Sequence, residues 1–108
     1  MLFDVTTDRL GSWSRVRVVG DVDLGSLPAV RAAFESVAGG SVVVDLTSVG
    51  VLDPQALGVL LAATLRTKRR GGRFVVACPP GPARDLLVEL RLDAVWVVVD
   101  APEAVTDA

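Results

Sequence analysis

The chain has 108 residues, 51% of them hydrophobic, and its 11 basic and 13 acidic side chains give a net charge of −2. This length supports a single domain, predicted over residues 1–108, and the charge argues against direct binding to nucleic acid. Histidine is absent and cysteine occurs once, which removes the commonest general base and every multi-cysteine metal site. We therefore expect no cofactor, no metal and no catalysis.

The beginning of the chain, MLFDVTTDRLGSW, lacks the basic and apolar regions of a secretory signal. The most membrane-like stretch, residues 51–70, contains Asp53, Pro54 and Gln55 and is too short and too polar to span a bilayer. We expect a soluble, cytoplasmic protein without membrane insertion.

Strands alternate with helices along the chain. The pattern predicts a strand over residues 2–7, a turn over 8–12 and a strand with one wet face over 15–19. The continuous apolar runs 42–46, 74–77 and 95–99 are typical of strands covered on both faces. The order β-β-α-β-α-β-α-β, with a weak fourth helix from about residue 102, predicts an α/β domain. Its mixed, mostly parallel sheet has about five strands, an antiparallel edge hairpin at the start and helices packed on it.

The first and third helices follow from capping residues and apolar spacing. Ser26 is predicted to cap the first helix, whose apolar positions end at Gly39-Gly40. The third helix follows the proline-rich segment 79–82. Gly71-Gly72 ends the second helix and is no phosphate loop, since neither glycine-rich phosphate motif occurs in the chain.

The second helix carries the most informative pattern. Asp53 is predicted as its N-cap and Pro54 as its first residue. A stripe of five residues is predicted to face the core: Leu57, Leu60, Leu61, Thr64 and Leu65. The opposite side is unusually small and apolar for a solvent-facing surface: Gln55, Val59, Ala62, Ala63, Arg66 and Arg70. Either this side is a docking face rimmed by arginine, or it is merely an alanine-rich surface.

Docking would make two positions on that side sensitive. Replacing Val59 or Ala63 by glutamate is expected to abolish partner binding and to leave thermal stability almost unchanged. A large loss of stability would instead mean that the predicted orientation of the helix is wrong.

Four carboxylates, Asp21, Asp23, Asp45 and Asp53, lie near predicted strand ends, where a metal or phosphoryl-transfer site would also place them. Turn formation and helix capping explain them more simply. Cys78 has no histidine to activate it and is predicted to be a small buried hydrophobe.

Five segments, in order along residues 14–104, resemble the STAS domain of the anti-sigma factor antagonist (anti-anti-sigma factor) family. They are GDVDL from Gly20, VVDLTSV from Val43, LDPQALGVLL from Leu52, GGRFVV from Gly71 and PPGPARDLL from Pro79. The resemblance implies a bacterial binding module for transcription regulation. It docks on an anti-sigma factor, which is also a GHKL-type serine kinase, and thereby frees the sigma factor. Together with the small apolar side of the second helix, the resemblance predicts partner binding by Asp23, Asp53, Pro54, Gln55, Ala56, Val59, Ala62, Ala63 and Arg66.

In such partner switching, the kinase phosphorylates a hydroxyl residue of the signature, and the phosphate blocks binding. The first turn of a helix tolerates a phosphate because its backbone N–H groups are free. An added charge of about −1.5 to −2 on an apolar docking face opposes binding.

The signature departs from the family pattern at three adjacent positions. Pro54 replaces a serine, Gln55 stands at the phosphoacceptor position and Ala56 replaces a glycine. Because Gln55 has no hydroxyl, the switch cannot be phosphorylated there, and its neutral amide does not mimic a phosphate. The resemblance therefore implies a module that is locked or controlled by another route.

Two other functions are consistent with the sequence. One is a STAS-type accessory subunit of a membrane transport complex that binds its ABC ATPase through the same helix. The other is a metal-dependent enzyme that uses Asp21, Asp23 and Asp53. A further open point is whether the first strand covers the sheet edge within the chain or pairs with a second copy in a homodimer.

Overall fold

The computed structural model describes residues 3–105, and in them five strands form one sheet in the order β1-β2-β3-β4-β5. Strand β1 is antiparallel to β2, and the other neighbours are parallel. The strands are β1 (Asp4–Leu10), β2 (Trp13–Val22), β3 (Val42–Leu52), β4 (Phe74–Ala77) and β5 (Val97–Val99). The predicted mixed sheet with an N-terminal edge hairpin is confirmed.

Three α-helices connect the parallel strands: α1 (Leu27–Glu35), α2 (Ala56–Arg69) and α3 (Pro82–Glu89). The strands follow one another across the sheet in chain order, so right-handed crossovers all bring their helices to the same face. The main core reflects this arrangement, because one cluster joins residues of all three helices to one side of the strands. It includes Val16, Val44 and Val76 from the sheet and Phe34, Leu60 and Leu87 from the helices.

The opposite face of the sheet has a smaller apolar cluster. It comprises Trp13, Val43, Val75, Ala77 and Val105, the last from a 3-10 turn at Pro102–Val105. Both faces of β3 and β4 are therefore covered along 42–46 and 74–77, as predicted. The weak fourth helix exists only as that 3-10 turn.

The prediction of a third fully covered strand over 95–99 is wrong. Only Val97–Val99 form β5, and the side chain of Val97 is 64% exposed. Strand β5 lies at the sheet edge and has one strand neighbour, so little packs over its outer part.

The N-terminal hairpin is longer than predicted. Strand β1 runs to Leu10, which pairs with Trp13, so the turn is the two-residue loop Gly11-Ser12 instead of residues 8–12. Gly11 has φ 62°, the positive value that such a tight hairpin loop requires. Leu2, part of the predicted strand, lies outside the described residues. Within the chain, β1 covers the edge of β2; pairing with a second copy stays a prediction.

Ser26 is the N-cap residue of α1, as predicted, but the side-chain capping at this point belongs to Asp23, the N-cap of the preceding 3-10 turn. The Ser26 N–H donates to Asp23 Oδ1 (3.1 Å) and the Asp23 N–H donates to Ser26 Oγ (3.0 Å), which forms a capping box. Ser26 itself has helical dihedral angles and makes no side-chain cap to α1, because the 3-10 turn Leu24–Ser26 precedes the helix.

Candidate functional site

The start of α2 is built by Asp53. Its Oδ1 accepts a hydrogen bond from the Gln55 N–H (2.8 Å), and its carbonyl oxygen accepts one from the Ala56 N–H (2.9 Å). The prediction of Asp53 as the N-cap and Pro54 as the first helical residue is wrong, because Gln55 is the N-cap and the α-helix begins at Ala56. Asp53 instead closes the tight turn of Pro54 and Gln55 that precedes the helix. Pro54 and Gln55 are both exposed at this end of the helix.

The predicted orientation of α2 is wrong in part, because Leu57, Leu60 and Thr64 are buried as predicted but the buried side extends to residues that were expected to face outward. Ala56, Val59 and Ala63, expected among the partner-binding residues, are buried with exposed fractions of 2%, 7% and 3%. Leu65, expected in the core, is 55% exposed. The buried side of the helix is rotated from the predicted one by a little under one residue step of about 100°.

Two buried threonines lie on the inner side of α2. The Thr64 hydroxyl donates to the Leu60 carbonyl oxygen (2.7 Å) and accepts from Trp96 Nε1 (2.8 Å). The Thr67 hydroxyl donates to the Ala63 carbonyl oxygen (2.9 Å). Because both hydroxyls are satisfied, threonine enters the core at little cost. Thr64 was predicted to face the core, and Thr67 was not.

The outward side of α2 faces a groove that it forms with α1. This α1–α2 groove has a volume of about 210 Å³ and is lined by Leu27, Arg31, Gln55, Gly58, Val59, Ala62 and Arg66. It brings together four of the predicted partner-binding residues, Gln55, Val59, Ala62 and Arg66. Leu27 and Arg31 were missed; they lie at i and i+4 on α1, a spacing that places them on one face of that helix.

Gly58 opens the middle of the groove. A Cβ atom built at this glycine would meet nothing within 4 Å, so no contact within the described chain requires glycine there. Glycine inside a helix costs about 0.5–1 kcal/mol relative to alanine. Packing within the described chain therefore gives no reason for glycine at position 58. Without a side chain there, the helix backbone is open to close approach by another molecule.

Exposed apolar side chains lie beside the start of α2. Leu24 and Val51 are 54% and 59% exposed. They flank the ends of β2 and β3, where Val22 pairs with Leu52 and the Asp53 N–H donates to the Val22 carbonyl oxygen (2.9 Å). Exposed Asp23 belongs to the same end of the sheet, so the surface next to the groove combines apolar and polar side chains.

The four carboxylates have local structural roles. Asp21 Oδ1 accepts from the Val51 N–H (2.9 Å), and buried Asp45 Oδ1 accepts from the N–H and hydroxyl of Thr47 (3.0 and 2.6 Å). Asp23 and Asp53 cap turns, as described above. Within residues 3–105 no group of three or more histidine, cysteine, aspartate or glutamate side chains is placed to hold a metal ion.

Cys78 is 1% exposed, which confirms the prediction of a small buried side chain. Burial raises the pKa of its thiol, and Arg84 opposes that shift only in part. A buried thiol with a raised pKa is a poor nucleophile at neutral pH.

Comparison with known proteins agrees with the fold and the motifs. The family model described as "Mlab, STAS domain" matches residues 5–100. The chain therefore belongs to the STAS domain family. None of the curated protein sequences matches it significantly. In the described residues, no helix has the length and apolar character needed to cross a membrane.

Several solved structures share the architecture. An anti-sigma factor antagonist from Mycobacterium paratuberculosis aligns with a TM-score of 0.87 over 95% of this chain and 90% of its own, at 22% identity. The STAS domain of an antisigma-factor antagonist from Rhodobacter sphaeroides aligns with a TM-score of 0.56 over 69% of this chain and 85% of its own, at 28% identity. Unphosphorylated SpoIIAA, an anti-sigma factor antagonist, aligns with a TM-score of 0.62 over 87% of this chain and 97% of its own, at 17% identity. The domain thus resembles anti-sigma factor antagonists in fold.

Proposed function

We propose that this STAS domain is a non-catalytic, cytoplasmic protein-binding module that acts as an anti-sigma factor antagonist. Its partner is an anti-sigma factor that is also a GHKL-type serine kinase, and binding releases a sigma factor for transcription. The observation that carries the proposal is the α1–α2 groove at the STAS signature, with Gly58 open at its centre. A binding module needs a shaped surface of this kind and no reactive group.

The partner-binding residues are those that line or flank this groove. Gln55, Ala62 and Arg66 present side chains at its surface, and Val59 contributes to its apolar floor. Asp23 and Pro54 are exposed beside it. Asp53, Ala56 and Ala63 act indirectly in this proposal, since they shape the start of α2 and its packing.

Phosphorylation does not regulate the module at the signature position. Gln55 has no hydroxyl, and the nearest hydroxyl inside α2, that of Thr64, is 4% exposed and engaged with Leu60 and Trp96. A kinase cannot reach it without opening the core. Binding is therefore locked, or it is controlled by a route other than phosphorylation within the signature helix.

The test is affinity capture from native extract with the wild-type chain and Gln55→Ser, followed by identification of the bound proteins. We expect both chains to retain a GHKL-type kinase, and only Gln55→Ser to gain a phosphate when kinase and ATP are added. The wild-type peptide spanning Leu52–Arg66 should show no phosphate mass. Stoichiometric phosphate on that wild-type peptide would contradict the proposal.

A second candidate is favoured by the same missing hydroxyl. A constitutive subunit of a membrane transport complex, docked on its ABC ATPase, needs no phosphorylation switch at Gln55. The capture experiment separates the two, because this alternative predicts an ABC ATPase among the bound proteins and no GHKL-type kinase.

A further inference from the structure

The α1–α2 groove carries an uncompensated positive charge. Arg31 of α1 and Arg66 of α2 line it from its two walls, and no acidic residue lines it. The ion pairs Arg15–Asp8, Arg17–Asp45 and Arg84–Asp100 lie elsewhere and involve neither Arg31 nor Arg66. Glu35 is one turn beyond Arg31 but forms no ion pair with it.

The charge of the surrounding helix points the same way. From Ala56 to Arg69, α2 contains no acidic residue, and its last turn carries Arg66, Lys68 and Arg69. The chain as a whole is nevertheless acidic, with a net charge of −2. The basic surface is thus local to α2 and the groove and does not follow from the overall composition.

We infer that the α1–α2 groove binds an acidic segment of the partner protein, with a carboxylate held between Arg31 and Arg66 and the segment's backbone lying over Gly58 and Ala62. This inference rests on the proposed function, because it concerns the same groove. Guanidinium groups bind carboxylates through paired, charge-assisted hydrogen bonds, and two of them on opposite walls select a side chain placed between them. Gly58 and Ala62 determine how closely the bound segment approaches the helix, and the two arginines favour a segment with negative charge.

A peptide titration tests this directly on the full chain labelled with ¹⁵N. The probes are a capped amphipathic helical peptide made of leucine and glutamate, and a twin with lysine in place of glutamate. We expect the glutamate peptide to shift the amide resonances of Arg31, Gly58, Ala62 and Arg66, and the lysine peptide to leave them unchanged. The double variant Arg31→Glu, Arg66→Glu should bind the glutamate peptide at least about tenfold more weakly and should gain affinity for the lysine peptide.

The matched control is Lys68→Glu with Arg69→Glu, which changes the net charge by the same amount, on α2 but outside the groove. It should retain most of the affinity for the glutamate peptide. Equal binding of the two peptides, absence of binding, shifts confined to other surfaces, or an equal loss in the control variant would each overturn the inference. Because the probes are defined peptides, the result does not depend on whether a kinase is captured from extract. A kinase captured without any preference for acidic peptides would leave the proposed function standing and remove this inference alone.

Discussion

The two sides of α2 have similar residues and opposite roles. The inner side places Ala56, Val59 and Ala63 against the core, and the outer side exposes Gln55, Gly58 and Ala62. Both sides are small and largely apolar, so composition alone does not distinguish packing from docking. Small residues allow another part of the protein, or another molecule, to approach either side of α2 closely. The neighbouring strands and helices already pack against the inner side.

The largest effect is expected where the inner side receives a charge. Ala63→Glu places a carboxylate at a position that is 3% exposed, with no partner for it, and should cost at least about 3 kcal/mol in the free energy of unfolding. Ala62→Glu, one residue earlier on the outer side, should change it by less than about 0.5 kcal/mol. Chemical denaturation of the two variants measures the difference. Equal stabilities would mean that the helix orientation described above is incorrect.

A smaller effect is expected at the hydrogen bond that anchors the inner side. Thr64→Val leaves Trp96 Nε1 buried without its acceptor and should cost about 1–3 kcal/mol. Thr67→Val is the control, since its hydroxyl only donates to the Ala63 carbonyl oxygen, and the loss should be about 1 kcal/mol or less. Denaturation followed by tryptophan fluorescence compares the two. A greater loss at Thr67 would show that the Trp96 contact is not the one that matters.

On the outer side the sign of the effect should reverse. Gly58→Ala has free space for the new methyl group and should stabilise the fold by about 0.5–1 kcal/mol. The same methyl group stands in the groove and should weaken binding of the partner or of the acidic peptide. Thermal denaturation and the peptide titration give the two readouts. A variant that is more stable and binds equally well would show that no backbone approaches Gly58.

The mildest variants leave stability almost unchanged and report exposure alone. A thiol introduced by Ala62→Cys should react rapidly with a thiol reagent in the native protein, and one introduced by Ala63→Cys should react slowly. Cys78 is the internal control, because it is buried with a raised pKa and should react only after unfolding. Fast labelling at Ala63→Cys would place that residue at the surface.

These variants also revise an expectation drawn from the sequence. Glutamate at Val59 or Ala63 was expected to block binding without loss of stability. Because both residues are buried, a glutamate at either position would destabilise the fold, and any loss of binding would follow from that destabilisation. Ala62 is the position at which an added charge tests partner binding without a loss of stability.

The sequence was sufficient for features that depend on neighbours in the chain. The apolar runs at 42–46 and 74–77 and the signature around Gln55 follow from local chemistry. It failed where several faces were equally apolar. Leu65 was predicted to face the core and is exposed, whereas Thr67 was not predicted there and is buried, because the Ala63 carbonyl oxygen one turn earlier accepts from its hydroxyl group.

By itself, the sequence determined the STAS family, the mixed sheet and the absence of a hydroxyl at Gln55. These features can be recognised from the sequence because motifs, and the order of strands and helices, depend on residues that are adjacent in the chain. Only the tertiary structure decided which side of α2 faces outward and that Arg31 of α1 joins Arg66 in one groove. Those facts depend on how two helices pack on a sheet, and the spacing within either helix does not contain them.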